Sequence, residues 1–223
     1  MKDLTLIIPT KNEAESLPAV LNELNKYRYK IQIILHKTDV KTIKSIKNYK
    51  SKIIYQKNLG YGDALIHGIK QCKTKYFCIF NADGSFNPSE INQMYKNLIS
   101  KKLDFIFASR YQTSSGSEDD TIITLIGNYI FTYIGKIFFR LNISDILYTF
   151  IIGKTEQSKK LDLNQKDFSF CVELPIKAKK MGMKLDCINS SERKRIAGKK
   201  KVNAFKDGYL ILKYMIKLFF MKP

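Results

Sequence analysis

The sequence predicts an α/β fold with a mostly parallel central sheet flanked by helices. Short apolar runs of strand length recur along the first half of the chain, and most are followed by a segment whose apolar residues return at helical spacing. Alternation of this kind builds a parallel sheet covered on both faces. A further observation marks the functional end. The polar and glycine-bearing segments lie just after the strand runs, and open α/β sheets bind ligands outside the carboxyl ends of their strands.

Leu4–Ile8 is an apolar run closed by Pro9. Thr10, Lys11, Asn12 and Glu13 form a polar loop, and Leu17, Val20, Leu21 and Leu24 follow at helical spacing. Ile31–Leu35 is a second strand, with a lysine-rich helix through Ile43 and Ile46 behind it. Ile53–Tyr55 is a third, short strand. Asn58-Leu-Gly-Tyr-Gly62 is a tight turn into a helix carrying Ala64, Leu65, Gly68 and Ile69. Tyr76–Phe80 is a buried strand that stops at Asn81-Ala-Asp-Gly84, turn chemistry with one carboxylate at the strand end. Pro88 suits the first turn of the next helix, and Glu90 adds a favourable charge there. That helix covers Ile91–Ile99, and Phe105–Ala108 is the next strand.

After Arg110 the pattern changes. Thr113–Asp120 is rich in serine, glycine and acids and is expected to be a mobile surface loop. Between Ile122 and Leu141 apolar residues recur at i, i+3 and i+4, as in one amphipathic helix or a bent helix pair. Phe168–Glu173 opens a helix that runs through Leu174, Ile176 and Ala178. Lys184–Ile188 is the final strand, Ser191–Lys201 a basic loop, and the chain ends in a lysine-striped apolar helix. The expected division is one domain over 1–205 and an amphipathic helix over 206–223, docked or lying in a membrane interface.

Bulk composition narrows the function. The 223 residues include 39 lysines and arginines against 20 acids, a formal charge of +19. Such a balance implies an anionic partner: nucleic acid, anionic lipid or a phosphorylated substrate. Cys72, Cys78, Cys171 and Cys187 lack metal-type spacing, and free, mostly buried thiols in a reducing compartment are expected. The first residues enter a strand directly, without leader-like features, and no run of about 20 uncharged apolar residues is found. No Gly-x-Gly-x-x-Gly follows the first strand, no Walker loop occurs, and no nucleophile elbow is present. His36 and His67 are the only histidines, too few for a histidine-based zinc site or triad. What remains is a set of strand-end polar residues, Glu13, Asn81, Asp83 and Arg110, and a late cluster of cations: Arg193, Lys194, Arg195, Lys199, Lys200 and Lys201. A carboxylate with neighbouring oxygens can hold a divalent cation that also binds substrate phosphates, and cations neutralise a leaving diphosphate.

These residues resemble family 2 glycosyltransferases of the GT-A fold, and within them the branch of dolichyl-phosphate mannosyltransferase and bacterial polyprenyl-phosphate glycosyltransferases. The resemblance covers nearly the whole chain. Ile8-Pro-Thr-Lys-Asn-Glu13 is similar to the family's opening Pro-Thr-Tyr-Asn-Glu, and Asn58-Leu-Gly-Tyr-Gly-Asp-Ala64 with Gly68 to its glycine turn. Asn81-Ala-Asp83 stands where the family has Asp-Ala-Asp, and Ala108-Ser-Arg-Tyr111 resembles Gly-Ser-Arg-Tyr/Phe. Phe168-Ser-Phe-Cys-Val-Glu-Leu174 resembles the acidic segment before the acceptor helix, and Arg195-Ile-Ala-Gly-Lys-Lys-Lys201 resembles Arg-x-x-Gly-x-Ser-Lys.

The resemblance implies inverting transfer of a sugar from a nucleotide diphosphate sugar to an acceptor such as a polyprenyl phosphate or a glycan. It assigns Asp83, Arg110 and Glu173 to catalysis. Pro9, Lys11, Asn12, Glu13, His36, Gly62 and Ala82 go to the nucleotide, and Arg195 and Lys201 to phosphates or acceptor. Asn81, Asp83 and Ser85 are assigned to Mg²⁺ or Mn²⁺. It further implies a monomer or homo-oligomer at the cytoplasmic membrane face, in peripheral contact with lipid, and no nucleic-acid partner.

The chain departs from the family pattern in three places. His36 stands at about the position of the base-reading acid, with Asp39 a little further on. Asn81 replaces the first acid of the metal motif. Asp145-Ile-Leu-Tyr-Thr-Phe150 is bulky where the family is small. His36 and Asn81 keep a second reading open: a catalytically degraded GT-A scaffold whose basic face binds anionic lipid or nucleic acid. Plainer roles also stand beside the functional ones. Glu13 can be an early-helix acid, Gly60 and Gly62 plain turn glycines, Arg110 a strand-end surface cation, Glu173 a solvated helix residue, and Lys199–Lys201 a solvated run.

Overall fold

The structure, a computed structural model, describes residues 1–112 and 115–221. Its centre is a seven-stranded sheet. β1 (Leu4–Pro9), β2 (Lys30–Leu35), β3 (Lys52–Tyr55) and β4 (Tyr76–Ile79) are joined by α1 (Leu17–Asn25), α2 (Val40–Ser45) and α3 (Tyr61–Gln71). α4 (Glu90–Ser100) leads to β5 (Phe105–Ser109), and α5 (Ile122–Phe139) follows. β7 (Ile151–Lys154) and α6 (Thr155–Lys159) come next, then α7 (Phe170–Lys180), β8 (Leu185–Asn189) and the terminal α8 (Ala204–Phe220). Two-residue strands β6 (Gly116–Ser117) and β9 (Ser191–Glu192) pair with each other in parallel, outside the main sheet.

The sheet order is β3-β2-β1-β4-β7-β5-β8. All neighbours run parallel except β7, which is antiparallel to both β4 and β5. The expected α/β architecture with a mostly parallel, helix-flanked sheet is therefore observed. β1 shows why its sequence is a continuous apolar run. Every residue in it is buried, with Ile7 facing one core and Leu6 and Ile8 the other. The strand β7 has no counterpart in the sequence reading, which noted only that its approach, Asp145–Phe150, is bulky where the family is small. β7 follows α5 only after the irregular segment 140–150 and then runs antiparallel to its neighbours, so strand–helix alternation does not reveal it.

α5 is one helix. The Thr121–Thr124 capping box starts it, and Arg140 ends it with a left-handed φ of 52°. The segment expected as a mobile loop over 113–120 is tied down where it is described. Gly116 and Ser117 pair with β9, while Thr113 and Ser114 lie outside the described residues. α8 packs on α5 and α7 through Ile211, Tyr214, Met215 and Leu218, and Lys180 Nζ donates to the Leu218 carbonyl at 2.6 Å near the helix end. Cys72, Cys78, Cys171 and Cys187 are free thiols.

Candidate functional site

Parallel strands end on one edge of a sheet, so the segments after β1, β2 and β4 converge. They line a cleft of about 1020 Å³ that also takes in Arg110, the loop after β9, and the first turns of α5 and α8. The expected residues Pro9, Lys11, Asn12, Glu13, His36, Asn81, Ala82, Asp83, Arg110, Arg195 and Lys201 all line it.

The loop after β1 is held to the one after β2. Asn12, at a left-handed φ of 54°, donates its backbone N–H to Asp39 Oδ2 at 2.7 Å, and Asp39 also caps α2. Glu13 is nearly buried, its N–H on Thr42 Oγ1 at 3.0 Å, its carboxylate accepting from Ser16 and paired with Lys201. It is thus no solvated early-helix acid.

Beyond β4, Asp83 Oδ1 accepts the Ser85 N–H at 3.0 Å, and its Oδ2 lies 3.5 Å from an Arg195 guanidinium nitrogen. Arg195 is forked onto Asp119 at 2.7 and 3.2 Å, and Lys200 is paired with Asp119 and Asp120. Burial pushes the Asp119 carboxyl up, but Arg195 and Lys200 outweigh it and hold it below the usual carboxylate range. The basic loop is therefore pinned over the cleft by acids after β6 and after β1, with its cations against Glu13 and Asp83.

Among the described residues no three metal-ligating side chains of the His, Cys, Asp or Glu type gather. Asp83 offers the one carboxylate of its turn and Asn81 an amide oxygen. Such a set fits a Mg²⁺- or Mn²⁺-like ion that draws further ligands from water and a diphosphate, not an ion caged by protein alone. Ser85 Oγ is buried and accepts from Asn81 Nδ2 at 3.4 Å, and it does not line the cleft.

Arg110 corrects a simpler expectation. It is only 7% exposed and makes a bidentate pair with Asp145, Nε to Oδ2 at 2.7 Å and Nη2 to Oδ1 at 3.1 Å. A further bond to Glu192 at 3.0 Å and a stack on Tyr148 complete the cluster. Burial alone would lower its affinity for a proton, but Asp145 and Glu192 outweigh burial and keep it charged, well above its ordinary range. It is the hub that joins β5, the segment before β7, and β9.

Two more expected residues lie off the cleft. Gly62 packs against backbone: an added Cβ would come within 2.1 Å of the Gln165 carbonyl oxygen. Its neighbour Gly60, at φ 141°, is confined by Lys166 in the same way, so this turn needs glycine for close approach of the 165–167 segment. Glu173 is fully buried and neither solvated nor on the cleft wall. It accepts from the Asn164 and Gln165 N–H groups, from Lys177 at 2.7 Å and from Tyr214 at 2.8 Å, locking α7 to α8. Glu173→Ala should leave these donors unpaired, cost about 2–3 kcal/mol, and leave nucleotide affinity unchanged. Thermal unfolding and a titration with nucleoside diphosphate measure the two effects; weakened binding at unchanged stability would contradict it.

Sequence reasoning missed Gln56, Tyr61, Asp119, Asp120 and Glu192 as cleft residues. Adjacent acids in so basic a chain were the available signal for Asp119 and Asp120. Nothing local marked Glu192, which reaches Arg110 only through the β6–β9 pairing.

Comparison with known proteins adds family and fold. The pattern described as "Glycosyl transferase family 2" matches residues 5–161. An uncharacterized protein of Methanocaldococcus jannaschii is 25% identical over 82% of this chain and 78% of its own length. An uncharacterized glycosyltransferase of Mycobacterium tuberculosis is 23% identical over 93% of both chains. Among solved structures, glucosyl-3-phosphoglycerate synthase from Mycobacterium tuberculosis, crystallised with Mn²⁺, UDP and phosphoglyceric acid, superposes with a TM-score of 0.74 at 9% identity, covering 100% of this chain and 80% of that one. Mannosyl-3-phosphoglycerate synthase from Rubrobacter xylanophilus gives 0.73 at 12% identity, covering 97% and 73%. Identities this low show a shared fold.

Proposed function

This chain belongs to glycosyl transferase family 2 and is a glycosyltransferase, and on that premise we propose that it moves a sugar, with inversion, from a nucleoside diphosphate sugar to a phosphate carried on a membrane lipid. The acceptor phosphate oxygen attacks the anomeric carbon opposite the leaving group. The new C–O bond forms as the bond to the diphosphate breaks, and the nucleoside diphosphate departs with the electron pair. A phosphate acceptor is already anionic, so no side chain has to remove its proton. Arg195 and Lys201 are placed to trade Asp83 and Glu13 for the diphosphate and to stabilise the charge growing on it. Asp83 and Asn81 would hold a divalent ion, which supplies further charge neutralisation to that diphosphate when bound. Arg110 shapes this wall through Asp145 and Glu192.

The observation that carries the lipid acceptor is the shape of the cleft. Its polar floor at Asp83 continues between α5 and α8 along Ile123, Ile130 and Ile211. A soluble acceptor has no use for that apolar trough. The same two helices turn apolar residues to solvent, and exposed Lys206, Lys213 and Lys217 suit the anionic cytoplasmic leaflet. Asn81 and His36 favour the other reading, a scaffold that binds anionic lipid without transfer.

The test incubates the protein with UDP-, GDP- or dTDP-sugars and Mn²⁺, offering either polyprenyl phosphate in vesicles or 3-phosphoglycerate in solution. Labelled sugar should enter the lipid phase with one donor, and Asp83→Ala should lower the rate about 10²–10³-fold. Product only on 3-phosphoglycerate would overturn the lipid acceptor. Vesicle binding without turnover on any donor would establish the scaffold.

A further inference from the structure

The end of the cleft beyond β2 and β3 carries two polar side chains whose hydrogen-bonding directions are fixed by the backbone. Leu35 and Tyr55 are register partners in the parallel β2–β3 pair, so His36 and Gln56 follow side by side, about 4.8 Å apart. Both line the cleft.

Gln56 is nearly buried, and its amide orientation follows from its partners. Its Nε2 faces two backbone carbonyl oxygens, Asn58 O at 2.5 Å and Gly60 O at 3.4 Å. Carbonyls only accept, so the NH₂ must face them and both its protons are committed. Among the described residues its Oε1 has no hydrogen-bond partner, and it is left as an acceptor on the cleft wall. His36 is fixed by the same kind of reasoning. The Thr38 backbone N–H points at Nδ1 at 3.4 Å, and Thr38 Oγ1 lies 2.8 Å from it. A backbone N–H only donates, so this contact favours the tautomer in which Nδ1 accepts and Nε2 carries the ring proton, and Nε2 has no partner among the described residues.

The site thus presents one donor beside one acceptor. We propose that His36 and Gln56 read the base of the donor nucleotide and select a uracil-type edge over guanine; this rests on the nucleotide-sugar reading above. Uracil offers a carbonyl next to a ring N–H, which His36 Nε2–H and Gln56 Oε1 satisfy together. Guanine offers one carbonyl and two neighbouring donors, N1–H and the 2-amino group. A carboxylate with two oxygens can take both of those donors; a single amide oxygen leaves one desolvated and unpaired. The aspartate that would serve guanine is absent at 36, and Asp39 is committed to Asn12 and the start of α2.

The test is isothermal titration of the full chain with UDP and with GDP, each with Mn²⁺. Wild type should bind UDP about tenfold or more tightly than GDP, the order expected for one unpaired polar group. His36→Ala should weaken UDP, because the base carbonyl loses its donor. His36→Asp should restore two acceptors and bring GDP level with UDP or ahead of it. His36 is half-exposed at the end of a strand, so neither change threatens the fold, and a melting curve of each variant checks this. GDP binding as tight as UDP in wild type, or the same UDP-to-GDP ratio in His36→Asp, would overturn the base assignment and leave the transferase reading intact. Failure of both diphosphates to bind would overturn both.

Discussion

Arg110→Met should cost about 3–5 kcal/mol of stability, the range for removing one partner of a buried ion pair. At roughly 2–4 °C per kcal/mol for a chain of this size, the Tm should fall by about 6–20 °C. Among the described residues the guanidinium is the only cation paired with Asp145, which is 1% exposed, and with Glu192, 8% exposed. Without it two carboxylates stay in a dry site, and the net cost is desolvation no longer offset. Arg110→Lys should recover little, because an ammonium cannot reproduce the fork onto Asp145. Replacing the acids as well, in Arg110→Met/Asp145→Asn/Glu192→Gln, should return part of the loss. Thermal unfolding followed by circular dichroism decides the matter. An Arg110→Met protein that melts with wild type but no longer turns over would mean that the side chain acts on substrate instead of holding the wall.

The second large effect concerns the outer face of α5 and α8. On α5, Ile122, Ile126, Tyr129, Tyr133 and Ile137 recur at helical spacing, each more than half exposed; on α8, Phe205, Tyr209, Leu212, Ile216 and Phe219 recur likewise, all of them exposed. Phe138 and Phe139 meet Phe219 edge-on, so the two stripes join in one surface. α5 is by length and composition apolar enough to cross a membrane, but it is packed along α7 and α8 with its other side to solvent. A contiguous stripe of exposed large apolar residues marks an interaction surface. The double variant Ile126→Glu/Ile216→Glu should bind anionic vesicles about a hundredfold more weakly than wild type. Each change removes an apolar insertion worth about 1.5 kcal/mol or more and adds a repelled charge. Both sites are 54% exposed, so the Tm should stay within about 2 °C. Co-sedimentation with phosphatidylserine vesicles reads the loss. Unchanged vesicle binding, or a wild-type dimer that these substitutions split, would assign the face to another partner.

What the sequence determined is local. Strand runs buried on both faces must be apolar throughout, and β1, β2, β4 and β5 were legible for that reason. Strand-end turns need glycine, asparagine or aspartate, and these placed Asn12, Glu13, Asn81 and Asp83 at the edge where the cleft lies. Cations clustered in one late loop marked a candidate anion site, and Arg195 and Lys201 line the cleft.

Other features depend on segments far apart in the chain, and only the tertiary structure decided them. β7 inserts between β4 and β5, antiparallel to both, where alternation gives no cue. Arg110 became a structural hub because Asp145 and Glu192 arrive from 35 and 82 residues away. Glu173 turned inward because Lys177, Tyr214 and two backbone N–H groups were waiting there. A charged side chain is written the same way in the sequence whether it faces water or a buried partner. Its role is set by the balance of desolvation and pairing, and that balance exists only once the chain has folded.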